Sequence, residues 1–186
     1  MRTSAMEQEL KLYHFADENL VALWKNCLRQ TVGEVGEKAE RLLGQIEREW
    51  KVRRASARTM QRRNADTFSD GPERGMLTTL GYHVGETNPT DSMLRRRILK
   101  RVVLGELPFV HSLEYTASWG RPCSLKRRAK LVRTLSSFIE SSSVRRPKAV
   151  REWEADLAYV HSRFTDIQTV RYLTSFSAIE GALINA

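Results

Sequence analysis

The sequence predicts a mainly α-helical bundle, and three observations point to that class. Five or six segments place apolar residues three and four positions apart, the spacing that gives a helix one apolar face. Sustained alternation of apolar and polar residues, the mark of a half-buried strand, does not occur. Apolar residues make up 41% of the 186 residues, and only 10 Gly and 5 Pro interrupt them. We therefore expect a folded core rather than a disordered basic tail.

The first two predicted helices cover residues 17–31 and 34–58 and form an antiparallel pair joined near Gly33–Gly36. Asp17 can cap the first helix. Their apolar stripes consist of Leu20, Leu23, Trp24, Cys27 and Leu28 in the first helix and Ala39, Leu42, Leu43, Ile46 and Trp50 in the second. We assign this pair, residues 1–63, to association with a protein partner or with a second copy of the chain.

A stretch rich in helix breakers follows the pair, and we predict that residues 64–76 form a linker to a second helical region over residues 77–186. Residues 77–85 fit either a short strand or one buried turn, and the sequence leaves both open. Beyond them we expect four to five helices. The predicted helices begin at Thr90 or Asp91, near Pro108, after Ser124 and at Pro147, with a last amphipathic stretch over residues 167–179.

The positive charge is concentrated in the second region. Residues 1–50 carry seven basic and nine acidic residues, whereas residues 51–100 carry 11 and 5 and residues 101–186 carry 13 and 8, so a total charge of +9 divides into −2, +6 and +5. Such a basic surface is the electrostatic footprint of a polyanionic partner. Segments 51–63 and 95–101 contain no acidic residue, so we expect their charges to be unpaired within their own helices.

We predict two sets of nucleic-acid-binding residues from these basic runs. The main set consists of Arg95, Arg96, Arg97, Arg101, Arg121, Lys126, Arg127, Arg128, Lys130, Arg133, Arg145, Arg146 and Lys148. The secondary basic run consists of Lys51, Arg53, Arg54, Arg58, Arg62 and Arg63.

The first turn of the helix predicted after Ser124 contains Lys126, Arg127 and Arg128. The helix dipole disfavours positive charge at this end of a helix. A phosphate bound at this helix start would relieve the conflict, because backbone N–H groups and arginine forks both bind phosphate oxygens. The alternative is that Glu106 or Glu114 neutralises the three residues within the chain.

Residues 111–135 partly match a helix-turn-helix, the motif that places its second helix in the major groove of DNA. With Gly120 as the turn glycine, Trp119 and Ala129 fit core positions of that motif. Thr116, Arg121 and Lys126 stand where apolar residues are usual, so a different turn or two helices of a bundle remain alternatives. For base stacking we consider only the aromatic residues near turns and basic runs, namely Trp119, Tyr82 and Tyr115.

Enzymatic chemistry is not predicted. The four histidines, His14, His83, His111 and His161, have no metal-ligand spacing, and neither a phosphate-binding loop nor a nucleophile elbow is present. Cys27 and Cys123 lie almost a hundred residues apart, which indicates a reduced, cytoplasmic protein without a disulfide framework or zinc site. No secretory or membrane-spanning segment is expected.

The sequence thus predicts a non-enzymatic nucleic-acid-binding protein without a cofactor. It favours duplex DNA over RNA, contacted through backbone phosphates, and an accessory or regulatory role. The alternative is a helical adaptor or scaffold subunit of a larger nucleoprotein complex, and a metal-dependent nuclease is the less favoured third choice.

Overall fold

The chain forms a helical bundle, as the sequence predicts. The computed structural model describes residues 11–30, 33–61, 75–85, 89–109, 112–142 and 146–165, and no strand occurs within these ranges. A 3₁₀ turn spans Leu12–His14, and seven α-helices follow in the described residues: α1 Asp17–Arg29, α2 Gly33–Gln61, α3 Met76–Thr79, α4 Ser92–Leu104, α5 Leu113–Ser118, α6 Leu125–Ser142 and α7 Pro147–Arg163. The predicted last stretch over residues 167–179 lies outside the described residues.

The predicted N-terminal pair is a helical hairpin. Helices α1 and α2 pack along their apolar stripes, and the indole rings of Trp24 and Trp50 lie 5.9 Å apart between their centroids. Both tryptophans are almost fully buried. Because these stripes are buried inside the chain, they are not a surface that a partner could cover; the predicted association stays a prediction.

A second hairpin is formed by α6 and α7, with the rings of Phe138 and Trp153 5.5 Å apart between centroids. Helix α4 packs on α6, α7 and α1, and α5 packs on α2, so α4 and α5 connect the two hairpins. One continuous set of buried apolar side chains runs from Leu12 to Phe164 through α1, α2, α3, α4, α6 and α7, and Tyr115 of α5 packs against it. The two regions expected from the sequence therefore share a core.

The segment predicted as a linker ends inside that core. Residues 64–74 lie outside the described residues, and Met76 is fully buried at the beginning of α3. Of the two readings of residues 77–85, the buried turn is the correct one: α3 ends in a turn at Leu80 and Gly81, and Leu80 and Tyr82 are both buried.

Three of the predicted helix starts agree with the structure, whereas α5 begins at Leu113 rather than near Pro108 and Asp17 is the first residue of α1 rather than its cap. The Asp91 carboxylate accepts hydrogen bonds from the backbone N–H groups of Met93 and Leu94, which caps α4. The Ser124 hydroxyl accepts one from the N–H of Arg127 and caps α6, and Pro147 occupies the first turn of α7. Within the described residues, no helix is both long and apolar enough to cross a membrane.

Candidate nucleic-acid interface

Two arginines of the first basic run, on α2, are paired with other parts of the chain. Arg53 donates to Glu49 at 2.8 Å and to Asp17 at 2.6 Å, and its remaining nitrogen donates to the carbonyls of Leu12 and Phe15. Arg53 thereby holds the 3₁₀ turn and the start of α1 against α2. The expectation of unpaired charge fails here, because one partner, Glu49, lies just before the run and four residues before Arg53 in the same helix.

The next residue of that run, Arg54, points the other way and is also paired. Its guanidinium forms an ion pair with Glu106 and donates to the carbonyl of Leu107 at 3.0 Å. Lys51, one turn earlier, is exposed and has no ion pair within the described ranges. The Arg58 side chain and residues Arg62 and Arg63 lie outside the described residues.

The second run, on α4, contains a buried arginine. Arg95 is 5% exposed, and its guanidinium contacts Asp156 at 2.7 Å and Glu152 at 2.9 Å on α7. The hydroxyl of Tyr82 donates to the same oxygen of Asp156. Burial and the Asp156 charge raise the pKa of Tyr82, which keeps the phenol protonated. We exclude Arg95 from the interface, because it ties α4 to α7 inside the core.

Two further arginines of α4 face the N-terminal hairpin. Arg97 donates to the carbonyl of Leu28 at 3.1 Å, and Arg101 forms ion pairs with Glu40 and with Glu47. Glu47 is itself buried, and that burial raises the pKa of its carboxyl despite the opposing charge of Arg101. Glu40 and Glu47 are two of the nine acidic residues in residues 1–50. Their charges pair with Arg101 of α4 and so are not available to a partner outside the chain.

Arg96 is the exposed member of the triple arginine on α4. Its guanidinium carbon lies 5.5 Å from the centroid of the Tyr159 ring, within the range of a cation–π contact. The contact leaves the charge at the surface, next to α7.

Arg127 is the most deeply buried charge of the third run and is 1% exposed. Its guanidinium donates to four backbone carbonyls, those of Val102 and Gly105 at the end of α4 and those of Trp119 and Gly120 at the end of α5. A cation at two helix C-termini satisfies carbonyls that lack partners within their helices and interacts favourably with both dipoles. The expectation that Arg127 binds phosphate is therefore not retained.

The two residues that flank Arg127 in sequence point in different directions. Nη2 of Arg128 lies 3.4 Å from Nδ1 of His161, so Arg128 faces α7. Lys126 lies on the opposite side of α6, exposed to solvent. Three consecutive basic residues thus serve three different environments, because successive residues of a helix are rotated by about 100°.

The outer face of α6 carries the cations that remain available. Lys126, Lys130 and Arg133 recur at the four- and three-residue spacing that aligns side chains on one side of a helix. Lys126 and Arg133 are exposed and Lys130 is partly exposed, and no ion pair involves the three within the described part of the chain. We call these three residues the α6 basic face. No acidic residue occurs between Glu114 and Glu140.

The tertiary structure brings Lys51 next to this face. A groove of about 950 Å³ runs between the second half of α2, α5 and the turn into α6. Its charged lining consists of Lys51, Arg54, Arg121, Lys126 and Glu106. We call it the α2/α5/α6 groove. Sequence reasoning missed this grouping, because Lys51 precedes Arg121 by 70 residues.

The remaining predicted residues are not part of this grouping. Arg146 and Lys148 are exposed at the start of α7, near the end of α6 that lies opposite Lys126. The 16 residues from Lys126 to Ser142 correspond to about 24 Å along the helix axis. Arg145 lies outside the described residues.

The aromatic residues considered for base stacking are mostly interior. Trp119 is 1% exposed and Tyr82 is 4% exposed, so neither can stack on a base. Tyr115 is partly exposed, but its hydroxyl accepts a hydrogen bond from the backbone N–H of Met76. The prediction of a stacking role is wrong for Trp119 and Tyr82.

The helix-turn-helix match stays a prediction, since the structure agrees with some of its local features and contradicts others. Gly120 adopts a φ of +80°, the left-handed conformation expected of a turn glycine, and Trp119 is buried as that motif requires. Ala129, however, is exposed rather than in the core, and α6 packs on α4 and α7 while α5 packs on α2. Leu125, the first residue of α6, is 64% exposed.

A metal centre has no support in the described residues, where no three His, Cys, Asp or Glu side chains group together as ligands. His111 lies outside that part of the chain.

Comparison with protein-family models, with curated proteins and with solved structures yields no match to this chain. What the interface binds therefore has to be inferred from its own side chains.

Proposed function

We propose that the chain is a non-enzymatic nucleic-acid-binding protein that contacts the phosphates of duplex DNA through the α6 basic face. The observation that carries the proposal is the set of three cations on one side of α6, without ion pairs in the described part of the chain. Structural charges on a helix surface are normally laced with acidic residues three or four positions away. This face has none between Glu114 and Glu140.

The shape of α6 supports duplex DNA as the ligand. A helix is about 10–12 Å across with its side chains, which fits the major groove of B-form DNA. The deep, narrow major groove of an RNA duplex does not admit such a helix. Arg121 and Lys51, beside the start of α6, extend the positive surface by two further charges. We assign the protein an accessory or regulatory role, since binding through phosphates positions a protein without reading sequence.

A salt-titrated binding assay on duplex DNA, single-stranded DNA and RNA tests the proposal. Contacts from Lys51, Arg121 and the α6 basic face would number about five, which predicts a slope near −4.5 for log K against log salt on duplex DNA. Affinity that is insensitive to salt between about 50 and 200 mM would refute phosphate-mediated binding. Tighter binding to RNA would refute the choice of DNA.

A triple variant localises the interface. Replacing Lys126, Lys130 and Arg133 with Gln should weaken duplex binding and reduce the salt slope by about 2.7, because three phosphate contacts are lost. The matched control replaces three exposed cations elsewhere, Lys38→Gln, Arg48→Gln and Arg151→Gln. The control has the same net charge change, so equal weakening in both variants would show that binding is not localised on α6.

A further inference from the structure

The α2/α5/α6 groove combines a cationic wall with an apolar one. We propose that it binds a nucleoside phosphate, with the phosphate against Lys51, Arg121 and Lys126 and with the base and sugar against the apolar wall. The nucleotide is either the 5′-phosphorylated end of a nucleic-acid chain or a free mononucleotide. Only the first case rests on the function proposed above.

The charge balance of the groove favours an anion. Four cations and one carboxylate line it, which leaves a formal excess of three positive charges. The carboxylate, Glu106, is already held by Arg54 in an ion pair. Lys51 on α2 converges on the groove with Arg121 and Lys126 from the turn and start of α6, and none of the three has an ion pair in the described residues.

A buried cation behind the groove adds to this excess. Arg127 donates twice to the carbonyl of Gly120, a residue that lines the groove. Burial, with a further contribution from the nearby charge of Arg54, lowers the pKa of Arg127 to about 10. The buried charge of Arg127 therefore lies behind the carbonyl of Gly120 and adds positive potential on that side of the groove.

The apolar wall distinguishes a nucleotide from a bare phosphate. Leu113, Ala117 and Pro122 line the groove beside its cations. A volume of about 950 Å³ falls at the upper end of the range for small-molecule sites, which join apolar walls to a few convergent polar groups. Inorganic phosphate would occupy only the cationic part, whereas a nucleoside phosphate would cover both walls.

A second large groove of the described residues lacks this imbalance. It has a volume of about 1070 Å³ between α1, α2 and α4, and its carboxylates and cations are nearly equal in number. Arg101 pairs there with Glu40 and Glu47, and Arg97 donates to a backbone carbonyl. Its charges are used to hold α4 against the N-terminal hairpin, so we place the anion in the α2/α5/α6 groove.

The two cysteines allow a test on the unmodified chain. Cys123 is partly exposed and lines both the α2/α5/α6 groove and the groove between α1, α2 and α4, so the substitutions at Lys51 and Arg121 below identify which groove is occupied. Cys27 is buried, and its burial raises the pKa of its thiol. Iodoacetamide should therefore alkylate Cys123 first, with Cys27 as the internal reference, since the thiolate is the reactive species. Alkylation of each cysteine is followed by peptide mass spectrometry. The probes are AMP, adenosine, inorganic phosphate, and a short single-stranded oligonucleotide with and without a 5′ phosphate.

AMP is expected to protect Cys123 from alkylation at concentrations where adenosine and inorganic phosphate do not. Replacing both Lys51 and Arg121 with Gln should raise the AMP concentration needed for half protection about 10-fold or more, since one charge-assisted contact is equivalent to about one factor of ten. The control with the same charge change, Lys148→Gln with Arg151→Gln, should leave it unchanged.

The outcomes separate the two sources of nucleotide and the two proposals. Protection by the 5′-phosphorylated oligonucleotide but not by AMP supports the chain end as the ligand, and protection by both supports a free nucleotide as well. If neither protects Cys123 while duplex DNA still binds through the α6 basic face, the nucleotide inference is overturned and the proposed function stands. If AMP protects but no nucleic acid binds, the proposed function is overturned instead.

Discussion

Replacing the buried guanidinium of Arg127 tests whether it supports the fold or binds a ligand. Arg127→Met keeps a long side chain in place but removes all five hydrogen bonds to the carbonyls of Val102, Gly105, Trp119 and Gly120. An unsatisfied buried acceptor costs about 1–3 kcal/mol. Taking about 1 kcal/mol for each carbonyl, less the desolvation penalty that the methionine avoids, the free energy of unfolding should fall by about 3 kcal/mol.

Such a loss is a large share of the 5–15 kcal/mol that stabilises a typical domain, so it is easily measured. The assay is urea denaturation followed by tryptophan fluorescence and far-UV circular dichroism, with the m value held as a check on two-state behaviour. Lys126→Met is the matched control: it removes an adjacent exposed charge and should change stability by no more than about 0.5 kcal/mol.

Arg127→Lys keeps the charge but not the planar guanidinium, so its loss in free energy of unfolding should lie between those of Arg127→Met and Lys126→Met. A change below about 1 kcal/mol for Arg127→Met, at an unchanged m value, would refute the structural role assigned to this arginine. Since stability and ligand affinity are measured separately, a stable variant that no longer bound DNA would point back to a phosphate-binding role.

Two further predictions concern the buried carboxylate of Glu47. Gly105→Ala should lower the free energy of unfolding by about 1–3 kcal/mol, because its Cβ would lie 2.7 Å from both carboxylate oxygens of Glu47. Gly44→Ala, within α2, should raise it by about 0.5–1 kcal/mol in the same urea assay, because its Cβ would meet nothing closer than 3.8 Å. Equal effects of the two substitutions would contradict this packing. The pKa of Glu47 is raised from 4.5 in the folded chain, so the folded state binds more protons between the two pKa values and the free energy of unfolding falls as pH rises through that interval. Glu47→Gln should lack this fall, so the stabilities of the two proteins, measured from about pH 4.5 to 7, should diverge, and parallel curves would refute the shift.

The position of a buried arginine could have been recognised from helical spacing. Arg127 precedes Leu131 and Leu135 by four and eight residues, and all three side chains are buried on the same side of α6. Arg95 likewise precedes the buried Leu99 by four residues. A cation that recurs in register with an apolar stripe is a candidate for the core, whereas Lys126, Lys130 and Arg133 recur out of register with that stripe.

The sequence by itself determined the local structure. Apolar spacing predicts the helices, and short polar side chains predict their starts at Asp91 and Ser124, because these signals depend on residues within one or two turns of each other. The acidic N-terminal pair and the basic remainder also follow from counting alone.

The tertiary structure decided which charges face solvent. The ion pair of Arg54 with Glu106 and the contact of Arg95 with Asp156 join residues more than fifty positions apart. The convergence of Lys51 with Arg121 and Lys126 also joins parts of the chain that are at least 70 residues apart. No local signal encodes these distances, because they depend on how α4 and α5 pack between the two hairpins. Packing therefore placed four of the seven described cations of the predicted interface on α2 and α4 in internal ion pairs, and left the three cations of the α6 basic face at the surface.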